Sequence, residues 1–173
     1  MIKLSGLFCP DTPPFEAPAD NDLIKMIEGE LGLRLPDAYV ALARIHNGGY
    51  LTRSVHPADT PTTWSADHVA VTSLAAIGRT AAFSLGGEMG SRFWVEEWGY
   101  PDIGVYFADC PSAGHDMIAL DYRGDDEPSV VHVDQDLGYR ITTLAPSFAA
   151  FVNGLVREEP YISRAPNDDE SAS

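Results

Sequence analysis

The sequence predicts a single-domain α+β protein, in which a mainly antiparallel sheet of about four to six strands has N-terminal helices and a C-terminal helix packed on one face. Three observations predict this fold class. The 173 residues are a typical length for one domain. Helical periodicity marks both ends of the chain. Between them, short β-rich runs recur at a spacing of about ten residues with turn residues between them, which is typical of an antiparallel sheet.

The two ends of the chain differ from its body. Residues 1–19 form a proline-rich leader that lies over the surface or is loose, because prolines interrupt it and periodicity is absent. Residues 20–157 form the predicted α+β domain. Residues 158–173 form an acidic tail that is rich in serine, proline and asparagine, and this composition predicts disorder.

A helical hairpin is predicted directly after the leader. Asp20 and Asn21 are good N-cap residues, and the apolar residues after them follow helical spacing: Leu23, Ile24, Ile27 and Leu31. Gly32 ends this helix. Pro36 suits the first turn of a second helix. One face of that helix carries Tyr39, Leu42 and Ala43, and also His46 if the helix extends that far. Asn47, Gly48 and Gly49 end it in the left-handed conformation that glycine tolerates.

The middle of the chain has weaker patterns. Residues 52–67 are polar and predict a loop, and the β-branched alternation of residues 68–72 predicts a strand. Residues 74–83 fit either a short helix or irregular structure. Residues 92–98 predict a helical segment, which Gly99 and Pro101 end.

A four-strand meander and a last helix complete the domain. The β-rich runs are separated by turn residues and cover residues 104–108, 117–122, 129–133 and 139–144. Ser147 opens a final helix, whose apolar face docks on the sheet through Phe148, Phe151, Val152 and Leu155. In the third run, His132 and Asp134 point to one face and Val131 and Val133 to the other. This alternation predicts an apolar face under the helices and a polar face outward.

The bulk charge excludes several classes of function. The net charge is −15, with 26 acidic residues against 11 lysines and arginines. Such a chain lacks the basic stripe that nucleic-acid binding requires, and anionic membranes repel it. No apolar run is long enough to cross a bilayer, and the N-terminus does not fit a signal peptide. We therefore expect a cytoplasmic location, in which Cys9 and Cys110 are free thiols. The charge favours a basic protein partner or simply keeps the protein in solution.

Most of this charge lies in one segment. Residues 94–136 carry eleven Asp and Glu residues against a single Arg123, a local net charge of −10. Such a segment suits a surface that meets a basic partner, or a set of oxygen ligands for a cation. Trp98 or Tyr100 would anchor the interface if exposed, because Trp and Tyr dominate binding hot spots. The candidate partner-binding residues are Glu96, Glu97, Trp98, Tyr100, Asp102, Asp109, His115, Asp116, His132 and Asp134.

Catalytic and metal sites are weaker interpretations of the same segment. Asp109, His115, Asp116 and Asp121 could together bind a cation. However, the sequence has no EF-hand loop, HExxH or CxxC pattern. Aspartates in turns commonly accept hydrogen bonds from nearby backbone amides instead. His132 as a general base would need a nucleophile, and no Gly-x-Ser-x-Gly motif supplies one. The sequence therefore predicts no catalytic residue, metal or cofactor.

Several short motifs, in order along the chain, resemble the SUKH superfamily. They are Leu35-Pro-Asp-Ala-Tyr39, His46-Asn-Gly-Gly49, Trp98-Gly99, Asp121-Tyr-Arg123, Val130-Val-His-Val133, and the helix that starts at Ser147-Phe148. The resemblance covers residues 20–156. This superfamily includes the fungal cell-wall-assembly regulator and many bacterial immunity proteins.

The resemblance implies a function as well as a fold. It implies a non-enzymatic, protein-binding α+β domain, and in bacteria an immunity protein that neutralises a cognate toxin, often a nuclease. The alternative is a regulatory or scaffold protein that binds endogenous partners in cell-wall or growth control. A metal-assisted hydrolase is a third and more distant class. The matching residues are chiefly structural, so the resemblance assigns no catalytic residue.

Overall fold

The computed structural model of the protein describes residues 1–124 and 126–162. The helices are α1 (Asn21–Leu31), α2 (Asp37–Ala43), α3 (Ser91–Glu96), α4 (Phe148–Gly154) and α5 (Glu159–Ile162). The strands are β1 (Gly49–Tyr50), β2 (Val55–Pro57), β3 (His68–Ala70), β4 (Ser73–Leu74), β5 (Gly104–Asp109), β6 (Asp116–Asp121), β7 (Ser129–Asp134) and β8 (Arg140–Ala145). A main sheet has the order β1-β4-β5-β6-β7-β8, all antiparallel, and β2 and β3 form a small second sheet. The predicted α+β class is confirmed.

The helical hairpin forms where the sequence predicts it. The Asp20 carboxylate caps α1 by accepting a hydrogen bond from the Leu23 amide at 2.9 Å, and Gly32 ends the helix with a φ of 67°. Helix α2 is shorter than expected because it ends at Ala43, and a hydrogen-bonded turn carries the chain on to His46.

The meander of β5 to β8 is the centre of the molecule. Each of these strands has six residues, and β6 pairs with β7 without interruption from Asp116 opposite Asp134 to Asp121 opposite Ser129. The β5–β6 turn and the β7–β8 turn therefore lie at the same end of the sheet. The four predicted β-rich runs are confirmed as four consecutive antiparallel strands.

Both faces of the meander are buried, which corrects the predicted polar outer face. One face packs Phe107, Ile118 and Leu120 against the helical residues Tyr39 of α2 and Phe148 of α4. The other face has its own apolar cluster, which contains Trp94, Tyr100, Tyr106, Met117, Val131 and Val133. The N-terminal and C-terminal helices do share one face, as predicted, whereas α3 packs on the opposite face against β5.

The segment predicted as a loop contains strand β2, and this explains the error about the polar face. Val55, His56 and Pro57 pair with β3, and the His56 ring stacks on Phe151 of α4 with centroids 5.0 Å apart. The β2–β3 pair thus extends the cover that α4 provides. Residues 75–83 take the irregular alternative rather than a helix.

The leader packs against the domain. Leu7 is fully buried in the core, and Phe8 and Glu16 form isolated β-bridges with Leu51 and Asn47. At the other end, part of the tail predicted as disordered is the helical turn α5, which is a correction for Glu159–Ile162. Residues 163–173 of the predicted tail lie outside the described residues.

Candidate functional site

The structure divides the ten candidate residues into an exposed group and a buried group. Glu96, Glu97, Asp102 and His115 are exposed, and Trp98 is half-buried. The residues withdrawn from the surface are Tyr100, Asp116, His132 and Asp134, which are at most 3% exposed, and Asp109, which is largely covered. The prediction of direct partner contact is therefore wrong for Tyr100, Asp116, His132 and Asp134, because they have almost no exposed surface.

The exposed carboxylates near α3 are partly neutralised. The Arg92 guanidinium lies 3.1 Å from Glu96 and 3.4 Å from Asp102, and the hydrogen bonds to both carboxylates raise its pKa. At the same end of the sheet, where Gly104 lies opposite Asp121, Arg123 pairs with Asp121 at 2.7 Å and lowers the pKa of that carboxyl group. The acidic segment consequently presents less free negative charge than its sequence suggests.

Aromatic side chains from three separate segments meet at the end of the sheet that carries the β5–β6 and β7–β8 turns. The His115 ring lies between Trp64 and Trp98, with centroid distances of 6.3 Å and 6.4 Å. Its Nδ1 is 3.0 Å from the Asp136 carboxylate, and Leu137 follows directly. We call this group, formed by Trp64, Trp98, His115, Asp136 and Leu137, the Trp64–Trp98 surface.

Local contacts hold the Trp64–Trp98 surface in place. The Tyr139 hydroxyl donates to the Trp98 carbonyl at 2.6 Å. Gly114, with a φ of 93°, lets the β5–β6 turn approach the indoles, since a Cβ there would lie 2.8 Å from Trp94. The loop that carries Trp64 is attached to the sheet, because the Thr63 amide donates to Asp134 at 2.9 Å.

A buried polar cluster lies at the same end of the sheet. Nε2 of His132 is 2.7 Å from Oδ2 of Asp116, and both side chains are buried. The Ser112 hydroxyl donates to the other Asp116 oxygen and accepts from the Asp116 amide at 3.1 Å. The Cys110 thiol completes the group, since its sulfur, an Asp116 oxygen and a His132 nitrogen all lie within 4.8 Å of one another.

Burial has the largest effect on the ionisable groups of the cluster and of the neighbouring Asp109. Burial raises the pKa of the Cys110 thiol, and the negative charge of Asp116 and a hydrogen bond to it raise this pKa further. Burial likewise raises the pKa of Asp109, against the opposing effect of its hydrogen bond from Ser73. Because the thiolate is the nucleophilic form of cysteine, a buried thiol beside carboxylates is poorly suited to covalent catalysis.

Sequence reasoning missed Trp64, Asp136 and Leu137. Trp64 stood in a segment predicted as loop, and an isolated tryptophan among polar residues was the available signal. Its partner His115 is far along the chain, so only the folded structure brings the two rings together. Trp64 and Leu137 are 51% and 44% exposed, which makes them prominent among the large apolar side chains of the described surface.

A comparison with protein families decides the classification. The model of the SMI1 / KNR4 family (SUKH-1) matches residues 18–154, which is most of the chain. The chain belongs to the SMI1 / KNR4 family. The match begins shortly before α1 and ends with α4, so it includes both the Trp64–Trp98 surface and the buried polar cluster. A comparison with curated proteins finds no match to the sequence.

The Asn47-Gly48-Gly49 motif that carries the resemblance to SMI1 / KNR4 proteins is structural here. Asn47 is fully buried, and its amide group donates to the Ala17 and Ile77 carbonyls at 2.9 Å and 3.0 Å. Its oxygen accepts from the Ile77 amide at 2.8 Å. The side chain therefore joins the leader, the end of the helical hairpin and the segment after β4.

Across the described parts of this SMI1 / KNR4 protein, residues 1–124 and 126–162, the helices are too short or too polar to cross a bilayer. The longest, α1, has 11 residues.

Proposed function

We propose that this chain is a non-enzymatic protein-binding domain, an immunity protein that neutralises a cognate bacterial toxin with a basic surface. The Trp64–Trp98 surface is the proposed contact region, together with the neighbouring carboxylate of Glu97. Family membership supports a binding role, and the chemistry of this surface supports the kind of partner.

The exposure of Trp64 is the observation that carries this proposal. Trp64 is 51% exposed and Leu137, which follows Asp136, is 44% exposed, so each offers apolar area to a partner. Trp side chains at the centre of an interface often contribute most of the binding energy, because they fill pockets from which water is excluded. The T-shaped contact between the Trp64 and His115 rings positions the indole before binding.

The charges around these rings favour a basic partner. Glu97 and Asp136 are exposed beside Trp98 and His115, and the whole chain has a net charge of −15. Opposite charges accelerate the diffusional encounter of two proteins and make the association rate sensitive to salt. A nuclease or another enzyme that acts on nucleic acid has the basic surface that such a binder would cover.

A regulatory or scaffold protein in cell-wall or growth control is the alternative function. The resemblance to the superfamily that includes the fungal cell-wall-assembly regulator supports this alternative, and the matching family model is one of the SUKH group. This function would use the same surface for endogenous partners, but binding would not abolish a toxic activity.

Affinity capture with matched variants tests the proposal. The tagged protein is used as bait in lysate of its own organism and eluted with increasing salt, and each captured protein is then purified and expressed alone and with the bait. Trp64→Ala and Asp136→Lys alter the proposed surface. Tyr50→Ala changes an exposed aromatic residue on β1, and Glu127→Lys reverses an exposed charge in the β6–β7 turn at the opposite end of the sheet.

The immunity function predicts one basic protein that is toxic alone and harmless with the bait. Trp64→Ala should weaken its binding about thirtyfold, equivalent to about 2 kcal/mol, and Asp136→Lys should slow association more at low salt than at high salt. The two control variants should bind as the native protein does. A partner that is non-toxic would favour the regulatory function, and equal effects of Trp64→Ala and Tyr50→Ala would exclude the Trp64–Trp98 surface.

A further inference from the structure

The buried polar cluster has the donor atoms of a metal site. The Cys110 sulfur, a carboxylate oxygen of Asp116 and a ring nitrogen of His132 lie within 4.8 Å of one another. All three side chains are buried, at most 4% exposed. They come from the end of β5, the start of β6 and the second half of β7, so the paired strands of the sheet fix their relative positions.

A second observation concerns polar atoms that lack partners. Nδ1 of His132 and Oδ1 of Asp134 are buried, and neither has a hydrogen-bond partner within residues 1–124 and 126–162. Asp134 lies opposite Asp116 in the β6–β7 register and two residues from His132, so its carboxylate is on the same face of the sheet as both. Buried polar atoms nearly always have partners, so the unpartnered oxygen of Asp134 on the face that carries the three clustered donors points to a ligand. The His132 ring faces Asp116 through Nε2, and its Nδ1 lies on the other side of the ring.

The charge of this region points in the same direction. Asp116 and Asp134 are buried carboxylates, and Asp109 is largely covered. Among the described residues, the arginine ion pairs lie elsewhere, with Asp37, Glu30, Glu96, Asp102 and Asp121, and the basic side chain that faces Asp116 is His132. Buried carboxylates of this kind are normally compensated by a cation or a metal ion.

We propose that Cys110, Asp116 and His132 bind a zinc ion, and that the Asp134 carboxylate, which lies outside the group of atoms within 4.8 Å, turns its unpartnered Oδ1 toward the metal as the fourth ligand. Thiolate, imidazole and carboxylate together are the donor set that zinc prefers, whereas calcium and magnesium require oxygen ligands alone. Four protein ligands in a buried position correspond to a structural site rather than a catalytic one. This proposal is independent of the function proposed above.

Zinc binding changes the protonation of the cluster. The Cys110 thiol loses its proton to solvent as the sulfur binds the metal, and the proton between His132 and Asp116 is displaced in the same way. The two positive charges of the ion then offset the thiolate and one carboxylate. Affinity should therefore increase as the pH rises, since fewer protons compete for the ligands.

The sequence predicted no metal because its search relied on short spacing motifs. Cys110 and His132 are separated by strand β6, and neither belongs to a CxxC or HExxH pattern. The cation site considered from sequence used His115 and Asp121 instead. In the structure His115 is exposed on the Trp64–Trp98 surface and Asp121 is at the opposite end of β6, paired with Arg123.

Cobalt substitution tests the site with a readout that depends on the ligands. The full chain is unfolded in urea with a chelator, then refolded with one equivalent of Zn²⁺ or Co²⁺, so that access to the buried site does not limit loading. Metal retained after gel filtration is measured by mass spectrometry. The Co²⁺ form is examined for a thiolate-to-cobalt charge-transfer band. Cys110→Ser and His132→Gln remove proposed ligands, and Cys9→Ser and His115→Gln are the matched controls at the other thiol and an exposed histidine.

The proposal expects one retained metal ion per chain and a charge-transfer band in the native protein and in both controls. Cys110→Ser should lose the band, and His132→Gln should lower the affinity for zinc at least tenfold. Circular dichroism of each refolded variant separates loss of metal from loss of fold. A native protein that refolds yet retains no stoichiometric metal overturns the proposal, and so does a band that survives in Cys110→Ser.

Discussion

His132 and Asp116 form a hydrogen bond of 2.7 Å in the interior of the sheet, diagonally across strands β6 and β7. Sequence alternation placed His132 and Asp134 on an outward polar face, but in the structure they lie on the face of Ile118 and Leu120 that the helices cover, and the loop that carries Thr63 bonds to Asp134 there. The polar residues of this face therefore bond to one another instead of to water. Each one is costly to bury and becomes more costly when its partner is removed.

We expect Asp116→Ala to destabilise the fold strongly in the presence of a chelator. The substitution leaves the buried His132 ring without its partner, and the expected loss in the free energy of unfolding is about 3 kcal/mol. Urea denaturation measures this loss. Asp102→Ala removes an exposed carboxylate that pairs with Arg92, and it should change the same free energy by less than about 0.5 kcal/mol. Similar values for the two variants would show that the buried bond contributes little.

Asn47 should be essential to the stability of the domain. Asn47→Ala leaves the Ala17 carbonyl and both backbone groups of Ile77 without their side-chain partner, and we expect a loss of about 2–4 kcal/mol. Asn153→Ala is the control, because Asn153 is exposed and its hydrogen bonds to residues 1 and 3 are solvated. It should cost less than about 1 kcal/mol. Thermal unfolding of the two variants gives the comparison directly.

Substitution by alanine at two glycines should change the stability of the fold in opposite directions. Gly48 has a φ of 70°, and a Cβ there would lie 2.6 Å from the Ala76 amide nitrogen, so Gly48→Ala should destabilise by at least about 2 kcal/mol. Gly29 is inside α1 with open space around it, and Gly29→Ala should stabilise by about 0.5–1 kcal/mol. Chemical denaturation of both variants checks the signs. A stable Gly48→Ala protein would mean that the segment around Ala76 can move aside.

The Cys110 thiol should make the protein less stable in alkali. Burial raises its pKa in the folded state, so above the usual thiol pKa of about 8.5 the unfolded chain loses a proton that the folded chain keeps. The free energy of unfolding is unaffected below that pH. Above it, this free energy falls by about 1.4 kcal/mol for each pH unit, until the pH reaches the pKa of the Cys110 thiol in the folded protein. Urea unfolding with a chelator at pH 8 and pH 9.5 measures the slope.

Replacement of each cysteine in turn shows which thiol causes the loss of stability at high pH. Cys110→Ala should reduce the fall in stability between the two pH values, whereas Cys9→Ser should leave it unchanged. Alkylation provides a second check, because the half-buried Cys9 should react in the folded protein and the buried Cys110 only after unfolding. Equal alkylation of both thiols at native pH would contradict the burial of Cys110.

The sequence predicted most of the fold because the relevant signals are local. Strands β5 to β8 are six residues long and separated by turn residues, and the helices have caps such as Asp20 and Ser147 that act within one turn. Strand β2 was missed because it has only three residues, includes a proline and depends on pairing with β3 across a polar loop. The β-propensity of a short segment does not show whether a distant segment will pair with it.

The candidate site was harder to predict than the fold. Alternation in Val131, His132, Val133 and Asp134 correctly assigned these residues to two faces, but it does not show whether a face is covered by another segment. Trp98 lies at the end of the sheet that carries the Trp64–Trp98 surface and stays a predicted contact, whereas Tyr100 is turned inward and donates to the Gly114 carbonyl. Trp64 joins Trp98 only through tertiary structure, so no local pattern could have paired them.

The contacts of the leader have a consequence for the order in which the domain folds. Asn153, at the end of α4, accepts from the Lys3 amide at 2.9 Å and donates to the Met1 carbonyl at 3.1 Å. These two hydrogen bonds join segments that are about 150 residues apart along the chain. Closing so large a loop costs more entropy than pairing neighbouring strands, so we expect the leader to dock late in folding, after strands β5 to β8 have paired.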